Sequence, residues 1–242
     1  MGYLYNTFLH QPLLNVLIFF YNTIAVHDLG IAIIFLTILI RIILFPLFHK
    51  GVRHQAVMQR LQPKIKKIQD EHKHDKEKQV TATMDLYREH KVNPFSGIFI
   101  MFLQLPILIA LYRIFANIFK PGFLDALYPF VAKPETINAV SLGLINLQKS
   151  NILIVGLAAL AQYFQGTIGL PKRGTEPLSQ SEKTAKMMVF IGPLITFVIF
   201  YRFPAAVSLY WAASSAFSVI QQIIVNKSLE NEQLGRDNQK NN

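Results

Sequence analysis

The chain has 242 residues, of which 52% are hydrophobic and only 16% are charged, and the hydrophobic residues gather into long runs. This composition excludes an ordinary soluble domain and is typical of a helical protein that crosses a membrane several times. The formal charge is +10, but 18 of the 24 Lys and Arg residues lie in 50–93, 170–186 and 226–242. Because these segments alternate with apolar runs, the charge indicates cytoplasmic loops rather than direct nucleic-acid binding. The absence of cysteine excludes disulfides and thiolate metal sites.

The N-terminal segment, residues 1–26, contains no Lys or Arg and so lacks the basic region of a signal peptide. Its apolar part, 12–24, includes two asparagines and is short for a membrane span. We interpret this segment as an interfacial helix on the outer face of the membrane. A cleaved or tilted spanning segment is the alternative.

The first long apolar run, 29–48 within the segment 27–49, carries Arg41 near its middle. About 20 residues at a rise of about 1.5 Å match the roughly 30 Å hydrocarbon core of a bilayer. A central arginine costs about 2.5–3.5 kcal/mol on insertion scales. The other apolar runs contain no acidic residue that could neutralise it. The run therefore predicts a hydrated, positively charged cavity around Arg41, with a bend at Pro46 near the cytoplasmic boundary.

The segment 50–93 is a long polar stretch that follows this first run. Apolar residues recur in it at helical spacing on either side of a polar break at 72–76. We predict a cytoplasmic helical hairpin made of two antiparallel amphipathic helices. The apolar seam is formed by Met58, Leu61, Ile65 and Ile68 on the first helix and by Val80, Met84 and Tyr87 on the second.

The segment 94–225 holds four further apolar runs, joined by loops. The loop 120–150 is weakly charged and suits a position against the outer surface, whereas the tail 226–242 is polar and is predicted to be disordered. The fold class is therefore an all-α polytopic membrane protein with a core of five transmembrane helices, its N-terminus outside and its C-terminus in the cytoplasm. The four runs are 95–119, 152–170, 185–203 and 205–225.

Several polar residues lie inside the predicted spans. Thr37 precedes Arg41 by four residues and so shares its helix face, and serines and Trp211 follow a helical spacing in the last span. Such residues commonly form hydrogen bonds between membrane helices, worth about 0.6 kcal/mol each. For the serines of the last span, this interpretation and a role in lining a groove are equally well supported. Together with the central arginine, the set favours a hydrophilic groove. Its candidate residues are Arg41, Thr37, Gln104, Gln162, Gln165, Ser208, Trp211 and Ser215.

Five blocks of sequence carry a resemblance that covers most of the chain. They are the run 29–48 with its central arginine, LQPKIKKIQ at 61–69, KVNPF at 91–95, LQLPILIALYRIF at 103–115 and FPAAVSLYWAASSAFSVIQQ at 203–222. In this order they resemble the YidC/Albino3-type membrane protein insertases. The resemblance implies a bacterial protein of the cytoplasmic (inner) membrane whose five-helix core encloses a groove open to the cytoplasm and to lipid.

The same resemblance implies roles for residues and partners. Arg41 would receive the hydrophilic, often acidic, outer segment of a nascent membrane protein, and the hairpin would recruit such clients. The Sec translocon and the ribosome are further candidate partners, although the short, weakly basic tail argues against a ribosome contact through the tail. Apolar faces of the second and fourth spans would guide the client's transmembrane helix into the lipid bilayer as a hydrophobic slide. Its candidates are Phe102, Leu105, Met187, Phe190, Ile191 and Leu194.

A small secondary transporter or an anion channel that uses Arg41 as its substrate site is the alternative function. Transporters usually contain inverted repeats and paired broken helices, and the sequence contains no convincing repeat. No phosphate-binding loop, nucleophile motif or intramembrane carboxylate pair is present, so we expect no enzyme and no cofactor. His72 and His74 lie in a charged turn and are expected to be solvated rather than to bind a metal.

Overall fold

The computed structural model describes residues 2–170 and 180–240 and is mostly helical. Most of the predicted basic loop at 170–186 and the last two residues of the tail lie outside the described residues. The chain divides into two compact units. Unit 1 comprises Met1–Leu44, Phe102–Gln162 and Gly192–Phe217, and unit 2 comprises Phe45–Met101, Tyr163–Ile191 and Ser218–Asn242.

The helices and strands follow in chain order. The first part contains α1 (Tyr3–Tyr5), a π-helical turn (Asn6–His10), α2 (Gln11–Asn22), α3 (Leu29–Ile43), α4 (Phe45–Arg60), α5 (Gln62–Glu71) and α6 (Lys76–Glu89). The second part contains α7 (Ser96–Asn117), a 3₁₀ turn (Phe123–Ala126), β1 (Val140–Ser141), β2 (Ile145–Asn146), α8 (Ile152–Gly169), α9 (Gln180–Phe200) and α10 (Ala205–Lys240).

The core of unit 1 is built from α2, α3, α7 and α10. Leu17, Ile33, Leu111 and Ile114 are fully buried within it. The helix predicted at 12–24 is observed as α2, and its buried face packs against α3. The N-terminal segment is therefore part of the packed core of this unit.

The loop 120–150 is tied to α2 by hydrogen bonds from its backbone. The amide of Tyr128 donates to Asn15 Oδ1 over 2.7 Å, and the amide of Asn138 donates to the Tyr21 hydroxyl over 3.0 Å. The loop also contains a two-stranded antiparallel hairpin, β1 and β2, that the sequence pattern does not predict. Two-residue strands are too short for an alternation of apolar and polar residues to be visible.

Asp28 joins the start of α3 to this hairpin. Its carboxylate accepts hydrogen bonds from the amide of Ile31 (2.9 Å), from Ser141 Oγ (2.7 Å) and from the amide of Leu142 (2.5 Å). The first of these is an N-cap. Partial burial by itself raises the pKa of Asp28, but the hydrogen bond from Ser141 and those from the backbone outweigh burial and lower the pKa below its ordinary value.

The first apolar run is interrupted close to Pro46, where the sequence predicts a bend. α3 ends at Ile43, Leu44 leaves the helical conformation, and α4 begins at Phe45. The break lies two residues before Pro46, which has no amide to donate and whose ring crowds the preceding turn. Proline is instead accommodated in the first turn of the new helix, where its missing donor costs nothing.

Unit 2 contains two small apolar clusters. Leu61 and Ile65 of the predicted seam are buried together with Leu86 on α6. Leu86 is not one of the predicted seam residues, and the predicted residue Val80 is 60% exposed, so the apolar face of α6 differs from the prediction. Ala56 packs with Val225 and Leu229, two residues one turn apart on α10. The arm of the hairpin that precedes the polar break is interrupted at Leu61, two residues before Pro63 in the first turn of α5.

The prediction that the tail at 226–242 is disordered is wrong, because α10 continues as a helix to Lys240. Leu229 is buried against α4, and Arg53 on α4 forms a two-pronged ion pair with Glu232, at 2.8 and 2.7 Å. Arg60 also donates to the carbonyl of Leu229. The polar composition of the tail gives no sign of these contacts, because only one of its two leucines, Leu229, is buried.

The length and hydropathy of the described helices determine which of them could cross a bilayer. α8 meets them, and α3 with α4 meets them if the two are counted as one broken span. Shorter apolar stretches occupy Phe102–Asn117 and Lys186–Phe200.

Candidate functional site

Arg41 lies in the last turn of α3, within unit 1, and its side chain is only 8% exposed. Its Nε donates to Ser214 Oγ on α10 over 2.9 Å, and its Nη2 donates to the same oxygen. Ser214 is itself buried. Since a hydroxyl is neutral, this contact orients the guanidinium without cancelling its charge.

Ser214 extends this contact to a third helix. Tyr210 precedes it by one turn on α10, and the two side chains lie within hydrogen-bonding reach of each other. The amide of Gln104 on α7 donates to the Tyr210 hydroxyl over 2.5 Å. Gln104, Tyr210, Ser214 and Arg41 therefore form a polar chain across three helices, which we call the arginine network.

Thr37 is buried one turn before Arg41, as the helical spacing predicts. Its hydroxyl donates to the carbonyl of Ile33 on its own helix over 2.7 Å. This local bond satisfies the hydroxyl donor without a second helix. Thr37 can still offer its oxygen as an acceptor on the face that carries Arg41.

A second polar cluster surrounds Gln162 on α8. Gln162 Oε1 accepts hydrogen bonds from Thr196 on α9 and from Trp211 Nε1 on α10, the latter over 3.4 Å. We call these three residues the glutamine network. Gln165, the other candidate on α8, is half-buried and belongs to unit 2, whereas Gln162 and Trp211 both belong to unit 1.

The two remaining serine candidates are both buried on α10. Ser208 is completely buried, and its Oγ has no hydrogen-bond partner among the residues that the structure describes. A buried hydroxyl without a partner costs about 1–3 kcal/mol, so this position suits a water molecule or a polar group of a ligand. Ser215 is buried close to the residue that contacts Arg41.

Three residues of these networks were missed in the sequence: Ser214, Tyr210 and Thr196. The predicted polar stripe on the last span passes through Trp211 and Ser215. Tyr210 and Ser214 are also four residues apart, each one position before Trp211 and Ser215, and so they too share one helix face. This spacing could have identified both residues. Thr196 carried no signal, because a single threonine in an apolar run is ordinary.

The predicted slide residues are mostly exposed. In unit 1 the side chains of Phe102, Leu105 and Leu194 are exposed, and in unit 2 those of Met187 and Phe190 are exposed while Ile191 is half-buried. Large apolar side chains that face outward are expected where a helix borders lipid. Their role as a slide stays a prediction.

Within 2–170 and 180–240, no group of three or more His, Asp or Glu residues is arranged to hold a metal ion. Among the described residues, the arginine network therefore remains the candidate functional site, and no metal centre is an alternative to it.

Comparison with known families decides the family. A model of the family described as 60Kd inner membrane protein matches residues 19–232, which is most of the chain. The chain belongs to this family. The predicted likeness to the YidC-type insertases is thereby confirmed.

Curated relatives of this family carry the name membrane protein insertase YidC. The protein of Fusobacterium nucleatum is 34% identical over 94% of this chain and 98% of its own length. Those of Geotalea daltonii and Geobacter metallireducens are each 33% identical over 91% of this chain, and the match covers 38% and 37% of their lengths. The chain thus spans less than two-fifths of these two relatives. The names give no support to the transporter or channel alternative.

Proposed function

We propose that this protein is a membrane protein insertase that moves transmembrane segments of nascent membrane proteins into the bilayer. In this proposal it is a multi-pass protein of the bacterial inner membrane with five spans and its N-terminus outside. The insertase names of its relatives support the activity, and the family is described as one of the inner membrane. No covalent chemistry is required, so the protein acts as a non-enzymatic catalyst.

The observation that carries the mechanism is the placement of Arg41. Its guanidinium is buried where α3 meets α10, and the neutral hydroxyl of Ser214 orients it. At about 4 Å and an effective dielectric constant of about 20, a positive charge attracts a carboxylate by about 4 kcal/mol. This attraction is large enough to draw in an acidic segment of a client and small enough to let it leave again.

The remaining polar groups would hydrate the same segment. The unpartnered Ser208 hydroxyl and the side chains of the glutamine network can offer hydrogen bonds to a polar client segment partway across the membrane. Hydration in the groove lowers the barrier to translocation, and transfer of the client's apolar helix into lipid then drives its release. The exposed apolar residues on α7 and α9 would provide the exit surface.

Reconstituted insertion tests this mechanism. In proteoliposomes, Arg41→Ala should reduce insertion of a client with an acidic outer segment at least about tenfold, while a client with Asn and Gln in place of those acids changes much less. Arg41→Lys should retain part of the activity, because the mechanism needs the positive charge and not the bidentate geometry of a guanidinium. Arg113→Ala, which removes an arginine from the far end of α7, is the matched control.

Two outcomes would contradict the proposal. Unchanged insertion of the acidic client by Arg41→Ala would remove the charge from the mechanism. Equal losses for the acidic and the neutral client would point to a structural defect instead. Crosslinking from position 41 to a stalled nascent client, with position 113 as the control, tests the contact directly.

A further inference from the structure

Three large apolar side chains are exposed where the start of α3 meets the β1–β2 hairpin. Val26 is 83% exposed, Leu142 is 67% exposed and Leu144 is 82% exposed. Asp28, two residues after Val26, accepts a hydrogen bond from the amide of Leu142, so the three residues belong to one local structure. We call Val26, Leu142 and Leu144 the apolar tip.

The backbone of the apolar tip is held in an unusual conformation. The φ angles are +49° at Val26, +53° at Leu142 and +70° at Gly143. Glycine adopts this left-handed region freely, but a β-branched valine rarely does so. Such a conformation persists only where the surroundings enforce it, and at Leu142 the hydrogen bonds of Asp28 with Ser141 and Leu142 do so. Glycine or asparagine would suit the turn at position 142 better, so the leucine serves something other than the turn.

The position of the tip relative to the apolar run of α3 indicates what covers it. Val26 lies three residues before Leu29, where the apolar run begins, and hence at the boundary of the hydrocarbon core. The stretch 136–148 contains no charged residue. A charge-free apolar loop at this depth fits the lipid interface, whereas a site for a soluble protein normally has a polar, partly charged rim.

We propose that the apolar tip inserts into the lipid interface of the membrane at the N-terminal end of α3 and anchors the loop 120–150 there. The inference rests on the membrane placement given under the proposed function, but it does not depend on the role of Arg41. The anchor fixes the depth of α3 through Asp28, since this carboxylate bonds both the tip and the first turn of the helix.

The absence of cysteine in the chain makes a labelling experiment direct. Leu144→Cys is labelled with the fluorophore NBD and reconstituted into phosphatidylcholine vesicles that contain a phosphatidylcholine spin-labelled near its head group. Glu135→Cys, an exposed charged position of the same loop, is the matched control. The lipid spin label should quench NBD at position 144 at least about threefold more than at position 135, and aqueous iodide should quench it less.

The other possible occupants give different results. Equal iodide quenching at positions 144 and 135 would overturn the proposal. Protection from iodide without quenching by the lipid label would also overturn it, because a protein would then cover the tip. If that protein is a second copy of the chain, the protection falls when the protein is diluted in the vesicles.

A second variant tests the three-residue tip without disturbing the turn. Leu142→Gly removes the side chain and suits the positive φ, so the loop should fold normally. In the Leu144→Cys background it should reduce lipid quenching at position 144 about twofold, and unchanged quenching would overturn the tip as defined. Vesicle flotation separates the two proposals: protein that does not float contradicts the membrane placement, whereas floating protein with a water-exposed position 144 contradicts this inference alone.

Discussion

Arg41 on α3 and Ser214 on α10 are joined by two hydrogen bonds that end on the same hydroxyl oxygen. The two donors, Nε and Nη2, lie along one edge of the guanidinium, so the serine fixes the plane of the group. A fixed charge is more useful than a mobile one for attracting a passing segment, because it needs no reorganisation when the segment arrives.

Replacing Ser214 by alanine should destabilise the protein by about 1–3 kcal/mol, because buried donors of a charged group lose their acceptor. Thermal unfolding in detergent micelles measures this change. Ser215→Ala, at the neighbouring buried serine, is the matched control and should have a smaller effect. Equal losses for the two variants would show that the Arg41–Ser214 contact contributes little.

Replacing Gln162 by leucine should alter the surroundings of Trp211. Trp211 is the single tryptophan of the chain, so intrinsic fluorescence reports on its indole directly. The variant removes the acceptor of the indole N–H, and we expect a shift of the emission maximum and a lower unfolding temperature. Gln165→Leu on the same helix should leave the emission unchanged. A shift of equal size in both variants would contradict the glutamine network.

Asp28 should make stability depend on pH. Its pKa is lower in the folded protein than its ordinary value, so its contribution is fully present above about pH 4 and is lost as the pH falls below that value. Asp28→Asn keeps an N-capping side chain but removes the charge. The difference in unfolding temperature between the wild-type protein and this variant should therefore be larger at about pH 6 than at about pH 3. A difference independent of pH would exclude the carboxylate charge as its source.

Gly30 provides space for the hairpin beside α3. A Cβ atom at this position would overlap the side chain of Ser141, whereas a Cβ at Gly156 on α8 would meet nothing within 4 Å. Gly30→Ala should therefore cost about 1–3 kcal/mol, and Gly156→Ala should be neutral or slightly stabilising. Adding Ser141→Gly should restore part of the stability lost in Gly30→Ala. The absence of such a rescue in thermal unfolding would contradict this close approach.

Much of the helical framework follows from the position of apolar runs. The run 152–170 became α8 at Ile152–Gly169, because a long apolar stretch has few other stable conformations. Interruptions inside runs were harder to place: the break at Leu44 precedes the proline that causes it. The helical tail was missed because its contacts with α4 involve residues more than 160 positions away in the chain.

The membership of the candidate site could be predicted only in part. Helical periodicity states which residues of one helix share a face, but it does not state which face meets a neighbouring helix. It therefore favoured Ser215, whereas the contact with Arg41 is made by Ser214. Arg41 itself was identifiable from the sequence, because the free-energy cost of placing an arginine within a membrane span does not depend on which helices surround it.

Tyr210 and Trp211 are consecutive residues of α10, and each binds a different glutamine, Gln104 on α7 and Gln162 on α8. Side chains at neighbouring positions on a helix point about 100° apart, so the hydrogen bonds of Tyr210 and Trp211 hold α10 from two different directions. Any turning of this helix about its long axis would pull on both bonds at once. The rotation of α10 about its own axis is therefore fixed by two adjacent aromatic side chains. The same two contacts fix the direction in which Ser214 points toward Arg41.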